Sequence, residues 1–139
     1  MIDYHFESDF VLKDNSRFSD WISRIITDED FEVGKLDFIF CHDDKLLSIN
    51  VEYLKHDTYT DIITFDYTEG KIISGDIFIS TDRIEENAEL FSVDKHEELL
   101  RVMSHGILHL MGYGDKSEEE IEIMRSKEEE KIKMFHVEQ

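Results

Sequence analysis

Proline is absent from this chain of 139 residues, and cysteine occurs once, at Cys41. Without proline, no loop is marked by that residue and no cis-prolyl turn has to be explained. A single cysteine excludes a framework of disulfides within the chain and a zinc site built from several cysteines.

Positive charge is scarce: 15 lysines and arginines stand against 34 aspartates and glutamates, which gives a formal net charge of −19 at pH 7. Proteins that coat a nucleic-acid backbone do so with clustered basic side chains. The charge balance therefore argues against unspecific nucleic-acid binding of that kind.

Long apolar runs are missing as well. No stretch approaches the roughly 18 apolar residues that a membrane helix needs. The first residues, MIDYHFESDF, have neither the basic start nor the apolar run of a signal peptide. We therefore expect a cytoplasmic protein with no membrane partner. With 40% apolar and 12% aromatic residues the chain can bury a core, and we expect one domain over residues 1–139.

The spacing of apolar residues predicts strands that alternate with helices in the first half of the chain. Residues 2–7 and the alternation at Leu36, Phe38 and Phe40 predict two strands, and residues 61–80 predict a hairpin that turns at Thr68-Glu69-Gly70. Helical spacing predicts a helix between the first two strands, with Phe18, Trp21, Ile22, Ile25 and Ile26 on its apolar face. We therefore predict an α+β fold: a single mixed sheet of about four strands, helices packed over it, and C-terminal helices that carry the metal motif described below.

Cap residues predict where several helices begin. Asp43 and Asp44 can cap the second helix, and Ser117 with Glu120 matches a capping box at the start of the last helix. In that last helix Glu128 interrupts an apolar stripe, and the many acids and bases predict a solvated face with charges of both signs. The stripe consists of Ile121, Met124, Ile132 and Phe135.

The most informative segment runs from Arg101 to Asp115 and contains two histidines four residues apart, His105 and His109. On a helix, this spacing places both imidazole rings on one face, where they can bind one cation. The chain has 7 histidines, so a chance pair at this spacing is common and the spacing alone is weak support.

A glycine turn after the second histidine strengthens the metal prediction. Gly112 can adopt the positive φ that ends a helix and turns the chain back, and Gly114 frees the turn further. Asp115 is then placed to bring a carboxylate to the two imidazoles. Three protein ligands, His105, His109 and Asp115, with one open position are typical of a catalytic zinc site, which polarises phosphoryl or carbonyl oxygens.

The residues alone leave other interpretations open. His105 and His109 can also be hydrogen-bonded core histidines, with Asp115 capping the final helix. A zinc protease of the extended His-x3-His-x2-Gly-x2-Asp type shares the spacing, but Gly106 stands where such proteases carry their glutamate base. A site of two histidines and one carboxylate can also bind iron(II), although nothing else in the chain indicates a cosubstrate pocket.

The segment His105-Gly-Ile-Leu-His109-Leu-Met-Gly112-Tyr113 resembles the signature of the YbeY family, bacterial rRNA maturation factors regarded as metal-dependent endoribonucleases. Two flanking blocks occur in the family's order. Residues 50–65 are similar to its helix and following strand, and residues 75–80 to its next strand. The resemblance implies an α+β domain, a zinc site in a cleft beside the sheet, and a role in processing the 3′ end of 16S rRNA.

Two positions depart from the family pattern. The signature usually ends with a third histidine ligand, and Asp115 takes that place here. A carboxylate is an acceptable zinc ligand, but its charge makes bound water less acidic and favours harder metals. Leu54 stands where the family commonly has an arginine, which can bind an RNA phosphate in bidentate fashion. Lys55 and Arg101 are the candidate replacements; for Arg101 the alternative is an ion pair with a glutamate one turn earlier.

The resulting hypothesis is a metal-dependent single-strand endoribonuclease that acts in rRNA maturation and ribosome biogenesis. One divalent metal, with Zn²⁺ as first choice, would activate water or a ribose 2′-hydroxyl for attack on a phosphodiester. The implied partners are rRNA and the small ribosomal subunit or an assembly factor, with no small-molecule cofactor. Three other functions stay open: a metalloprotease, a non-enzymatic ribosome-assembly factor, and a protein with a structural metal. The general base and the leaving-group acid are not identifiable from the sequence.

Overall fold

The computed structural model describes residues 1–54 and 60–137, and these residues form an α+β fold with four strands in one mixed sheet and five α-helices. The predicted fold class is confirmed. None of the described helices combines the length and the apolarity that crossing a membrane requires. The elements are β1 (Ile2–Phe6), α1 (Asn15–Asp28), β2 (Glu32–Cys41), α2 (Asp43–Ile49), a π-helical segment (Asn50–Leu54), β3 (Ile62–Asp66), β4 (Ile72–Ser80), α3 (Thr81–Leu90), α4 (Lys95–Leu110) and α5 (Glu118–Val137).

The sheet has the strand order β1-β2-β4-β3. β1 pairs with β2 and β2 with β4 in parallel, whereas β3 and β4 are antiparallel. The antiparallel pair is the hairpin predicted from the sequence. Gly70 in its turn has a φ of 58°, a backbone conformation that glycine adopts without steric cost.

The main core lies between one face of the sheet and helices that include α1, α4 and α5. Leu36, Phe38 and Phe40 of β2 are fully buried there, because every second residue of a strand points to the same face. The predicted apolar face of α1 is confirmed, since it buries Phe18, Trp21, Ile22, Ile25 and Ile26.

A smaller core covers part of the other face of the sheet. Leu46 and Ile49 of α2 belong to it, together with Cys41 at the end of β2 and Ile63 of β3. Burial raises the pKa of the Cys41 thiol to about 12, so this side chain acts as a small apolar group.

Helix starts agree with the prediction in part. Ser117 and Glu120 form the predicted capping box, in which the N–H of Glu120 donates to Ser117 Oγ and the N–H of Ser117 donates to Glu120 Oε1, each over 3.1 Å. The prediction for Asp43 and Asp44 is wrong, since the N-cap residue of α2 is His42. Both aspartates lie in the first turn instead, where a negative charge still favours the helix dipole.

Helix α5 is buried more deeply than its composition predicts. Met124 and Phe135 of the predicted stripe are buried, while Ile121 is exposed. The interpretation of Glu128 as an interruption on a solvated helix is wrong, because Glu128 is 4% exposed and the neighbouring Lys131 is fully buried. Both charged groups have partners on other elements, and these contacts shape the candidate site.

Candidate metal centre

Helix α4 presents His105 and His109 side by side, with ring centroids 4.4 Å apart and ring planes at 85°. Gly106, between them in sequence, lies against the sheet. A Cβ at position 106 would come within 2.9 Å of Ile62 Cδ1 and 3.1 Å of Ile77 Cγ2. The absence of a side chain thus lets α4 approach β3 and β4 closely, which fixes the backbone that carries the two histidines.

The chain reverses at Gly112, which has the predicted positive φ, 101°. The N–H of Tyr113 donates to the Leu108 carbonyl and the N–H of Gly112 donates to the His109 carbonyl, each over 3.0 Å. These two bonds form a Schellman motif, the common way in which a glycine ends a helix. Gly114 does not have a positive φ, so the reversal of the chain depends on Gly112.

The turn brings Asp115 to the two imidazoles. Its Oδ2 lies 3.2 Å from His109 Nε2 and 3.4 Å from His105 Nε2. One ligand atom from each of the three residues lies within 4.8 Å of the others. The His105 side chain is 16% exposed, that of His109 26% and that of Asp115 42%, so the cluster opens to solvent on the aspartate side.

Hydrogen bonds on the far side of each ring assign the tautomers of both histidines. His105 Nδ1 lies 2.6 Å from Oε2 of Glu128, and His109 Nδ1 lies 2.9 Å from the carbonyl oxygen of Tyr113. A carboxylate and a carbonyl only accept, so each Nδ1 carries the proton and donates it. Both Nε2 atoms are then left with a free lone pair that faces Asp115.

Three hydrogen-bond acceptors therefore face one another: the two Nε2 atoms and the carboxylate of Asp115. With both imidazoles neutral, none of the three has a proton to share, so they repel one another unless a cation lies among them. Nitrogen and carboxylate oxygen are the donor set of catalytic zinc sites with three protein ligands. The residues present therefore fit a divalent metal.

A proton would compete with a divalent metal at this position. Burial opposes the protonation of His105, but the hydrogen bond to Glu128 and the negative charge of Asp115 outweigh it and raise the pKa of His105. The site therefore favours a positive charge, whether it is a proton on His105 or a divalent cation.

Arg101, predicted as a phosphate contact or an ion-pair partner, forms the ion pair. Its Nε donates to Oε1 of Glu98 over 3.0 Å and its Nη2 to Oε2 of the same residue over 2.6 Å. Nη2 also reaches Asp61 Oδ2 over 3.3 Å, and Nη1 lies 3.7 Å from Glu128 Oε1. Glu98 is 2% exposed, so this arginine balances the charge of a buried carboxylate.

A second network holds the turn from the other side. Glu29, which follows α1, accepts hydrogen bonds from the Tyr113 hydroxyl at 2.7 Å, Lys127 Nζ at 2.9 Å and Lys131 Nζ at 2.8 Å. Burial opposes ionisation of Glu29, but these three donors outweigh it and lower its pKa to about 2. The carbonyl of Tyr113 accepts the hydrogen bond from His109, so the network connects α1 and α5 to the candidate ligands His105, His109 and Asp115. These three residues are called the metal cluster below.

Another group of close carboxylates occurs in the described part of the chain, formed by Asp28, Glu29 and Glu130. Two ammonium groups already lie among them: Lys131 Nζ contacts all three acids, at 3.5, 2.8 and 2.7 Å, and Lys127 Nζ contacts Glu29. These acids are neutralised by lysines, whereas the acceptors of the His105 cluster face one another.

The glutamate base of the zinc proteases has no equivalent at position 106, and the position of the family's arginine lies outside the described side chains. A side chain at Gly106 would point into the contact with Ile62 and Ile77, so a glutamate base has no room there. The Leu54 side chain and Lys55, the departures considered from the sequence, lie outside the described residues. A cavity of about 810 Å³ elsewhere, lined by residues of α1, α3 and α4, includes none of the three candidate ligands.

Glu128 is the residue at this site that sequence reasoning missed. The signal was its position at helical spacing within a buried stripe, four residues after Met124. An acid at such a position predicts a buried carboxylate, and buried carboxylates require a partner.

Comparison with protein families gives one clear match. The family model described as "Endoribonuclease YbeY" matches residues 3–136 of this chain. A protein named endoribonuclease YbeY from Flavobacterium johnsoniae is 56% identical over 139 residues, which is 100% of both chains. One of the same name from Christiangramia forsetii is 54% identical over 138 residues, covering 99% of this chain and 96% of its own.

A solved structure supports the fold. The solution structure of a Thermotoga maritima protein superposes with a TM-score of 0.65 and covers 97% of this chain and 89% of its own. Its sequence identity to this chain is 24%, so the likeness concerns the fold alone.

Proposed function

Because this chain belongs to the endoribonuclease YbeY family, we propose that it is a metal-dependent endoribonuclease that cuts single-stranded RNA during rRNA maturation. The relatives named above carry the endoribonuclease name at more than half identity over essentially the whole chain. The observation that carries the proposal at the level of chemistry is the convergence of two histidine Nε2 atoms and one carboxylate on one point.

His105, His109 and Asp115 are proposed as the ligands of one divalent metal, with Zn²⁺ as first choice. Bound there, the metal supplies Lewis acidity toward a phosphate oxygen and lowers the pKa of a water ligand. The chain's own residues prepare the site: Glu128 and the Tyr113 carbonyl hold the imidazoles, and the partial exposure of Asp115 leaves a side open for a phosphodiester.

The charge distribution favours a short RNA contact. Arg101, which lies one turn before His105 on α4, is engaged by Glu98 and Asp61. A phosphate contact through Arg101 stays a prediction, and the ion pair is the arrangement with which it competes. A chain of net charge −19 gains little affinity from the RNA backbone, so we propose that a small ribosomal subunit or an assembly factor delivers the 3′ region of 16S rRNA.

We further propose that residues 1–139 form a single domain and that the protein is cytoplasmic. One core cluster includes residues from Leu12 to Phe135, which supports a single domain over residues 1–139. An RNA-processing activity supports a cytoplasmic location.

The test combines metal analysis of the purified protein with cleavage of a labelled single-stranded RNA. Wild type should contain close to one equivalent of divalent metal and cut the RNA. His105→Ala and His109→Ala should lose both properties, since two protein ligands do not hold a catalytic zinc tightly. His5→Ala is the matched control, because His5 is an exposed histidine on β1 that pairs with Asp37.

Full RNA cleavage by a metal-free His105→Ala protein would refute the proposal. Cleavage of an unfolded protein such as casein, with RNA left intact, would indicate a protease. Unchanged binding to pre-ribosomes after metal removal, without cleavage, would indicate an assembly factor. A chelator that lowers the melting temperature of a protein with no activity would indicate a structural metal.

A further inference from the structure

Glu128 lies on α5, outside the histidine motif, yet it makes one of the shortest contacts at the metal cluster. Its Oε2 is 2.6 Å from His105 Nδ1, and its side chain is 5% exposed. Taking a carboxylate out of water is costly unless hydrogen bonds and opposite charges compensate. The compensation here comes from His105 itself and from Arg101, whose Nη1 is 3.7 Å from Glu128 Oε1.

Two carboxylates compete for the single proton of neutral His105. Glu128 is 2.6 Å from Nδ1, whereas Asp115 is 3.4 Å from Nε2. If the proton moved to Nε2, it would point at Asp115 and block the lone pair that a metal needs. The shorter contact, made by the more deeply buried acid, keeps the proton on Nδ1.

Arg101 contacts the same Glu128 carboxylate through its other oxygen, Oε1. Its guanidinium is held by Glu98 and Asp61 and extends to Glu128. The charged groups that face Glu128 from the packed elements are therefore Arg101 and His105, both on α4. Their positions leave the Glu128 carboxylate placed to accept the imidazole proton across the 2.6 Å contact with His105 Nδ1.

We propose that Glu128 is a positioning residue of the metal centre: it fixes the tautomer and orientation of His105, so that Nε2 faces Asp115 and His109. The inference rests on the proposed metal site, but not on RNA as the substrate. It predicts that a residue 23 positions from His105 controls metal affinity without touching the metal. Such outer partners commonly change metal affinity by about 10- to 100-fold when they are removed.

The test uses the full chain, freed of metal and titrated with Zn²⁺ against a chromophoric chelator. Glu128→Leu removes the acceptor and should weaken Zn²⁺ binding by roughly 10- to 100-fold. Glu128→Gln keeps an acceptor for Nδ1–H without the charge and should weaken binding by about 3- to 10-fold. Glu129→Gln is the matched control, because Glu129 is the exposed next residue on α5 and loses the same charge.

A second readout reports the proton itself. In the Zn²⁺-loaded protein the Nδ1–H protons of His105 and His109 should give downfield proton resonances protected from solvent exchange. The His105 resonance should disappear in Glu128→Leu and persist, shifted, in Glu128→Gln. The His109 resonance is an internal control, because its acceptor is the Tyr113 carbonyl. A merely structural role for Glu128 would change thermal stability without this selective loss.

Zn²⁺ affinity within twofold of wild type in a folded Glu128→Leu protein would overturn the inference, as would an unchanged His105 resonance. If Glu128→Leu does not fold, Glu128→Gln decides, and affinity within twofold of wild type would then count against the inference. A protein that binds Zn²⁺ as expected but leaves RNA intact would refute the proposed substrate while Glu128 keeps its role.

Discussion

Replacing Glu29 by glutamine isolates the network that holds the turn beside the metal cluster. Glu29 accepts hydrogen bonds from Tyr113, Lys127 and Lys131, and its side chain is 13% exposed. Glutamine keeps the size of the side chain, but it removes the negative charge and turns an amide NH₂ toward an ammonium group. The change therefore tests the ion pairs with little effect on packing.

The pKa of Glu29 gives the size and the sign of the expected effect. The donors lower this pKa from 4.5 to about 2, and each unit corresponds to about 1.4 kcal/mol. The ceiling is therefore about 3 kcal/mol, and we expect about 2 kcal/mol at neutral pH, because the site is partly hydrated. A group with a lowered pKa stabilises the fold above its unfolded pKa. This contribution is lost as the pH falls from about 4.5 through about 2.

The measurement is urea unfolding followed by the fluorescence of Trp21, the single tryptophan, which is fully buried. The difference in free energy of unfolding between wild type and Glu29→Gln should be constant above about pH 5.5 and fall to roughly two-fifths of that value at about pH 3. Measurements should avoid the isoelectric point near 4.5, where solubility is lowest. Glu122→Gln on the exposed face of α5 is the control. A difference below about 0.5 kcal/mol, or one that does not change with pH, would refute the reasoning.

Three further predictions concern the glycines and RNA binding. Gly112→Ala should lower the free energy of unfolding, measured in urea, by about 1 to 3 kcal/mol, because residue 112 has a φ of 101°. A Cβ at this position meets nothing within 4 Å, so the loss would come from the backbone conformation alone. An unchanged stability would contradict the strained turn. Gly106→Ala should lower the free energy of unfolding by about 1 kcal/mol, since overpacking against Ile62 and Ile77 outweighs the gain in helix propensity. A stabilised variant would contradict the close contact. Binding of single-stranded RNA should show a log–log salt slope no steeper than about −2, and a slope steeper than about −4 would indicate many phosphate contacts.

Much of the candidate site could be predicted from sequence because its three residues lie within one helix and the turn that follows. The four-residue spacing of His105 and His109 is set by helix geometry, and the positive φ of Gly112 follows from the freedom of glycine. Both are local properties, so they do not depend on how the rest of the chain packs. The structure brings Asp115 to the two histidines, and its role as a ligand stays a prediction.

The partners of these residues could not be predicted in the same way. Glu128 meets His105 only because α5 packs against α4, and Glu29 meets Tyr113 across 84 residues of chain. Local patterns carry no information on such docking. A buried acid in the stripe of α5 could have been expected from its spacing, but its partner could not.

The sheet shows the same division between local and distant information. Alternation identifies β2, and a short glycine-containing turn identifies the β3–β4 hairpin. The order β1-β2-β4-β3 places β4 beside β2, although β3 lies between them in sequence. This choice depends on how β4 packs against β2, α2 and α4, which only the assembled core determines.

The net charge of −19 acquires a local meaning at the metal centre. Arg101 is engaged by Glu98, and Lys127 and Lys131 are engaged by Glu29. An RNA phosphate would have to displace a protein carboxylate from each of these three cations. Such an exchange gives little net free energy, because one charge-assisted contact replaces another. Under the proposed function, we therefore expect the binding energy to come from the metal and from a partner that presents the RNA. The shortage of basic residues would then limit the mode of RNA binding and not its occurrence.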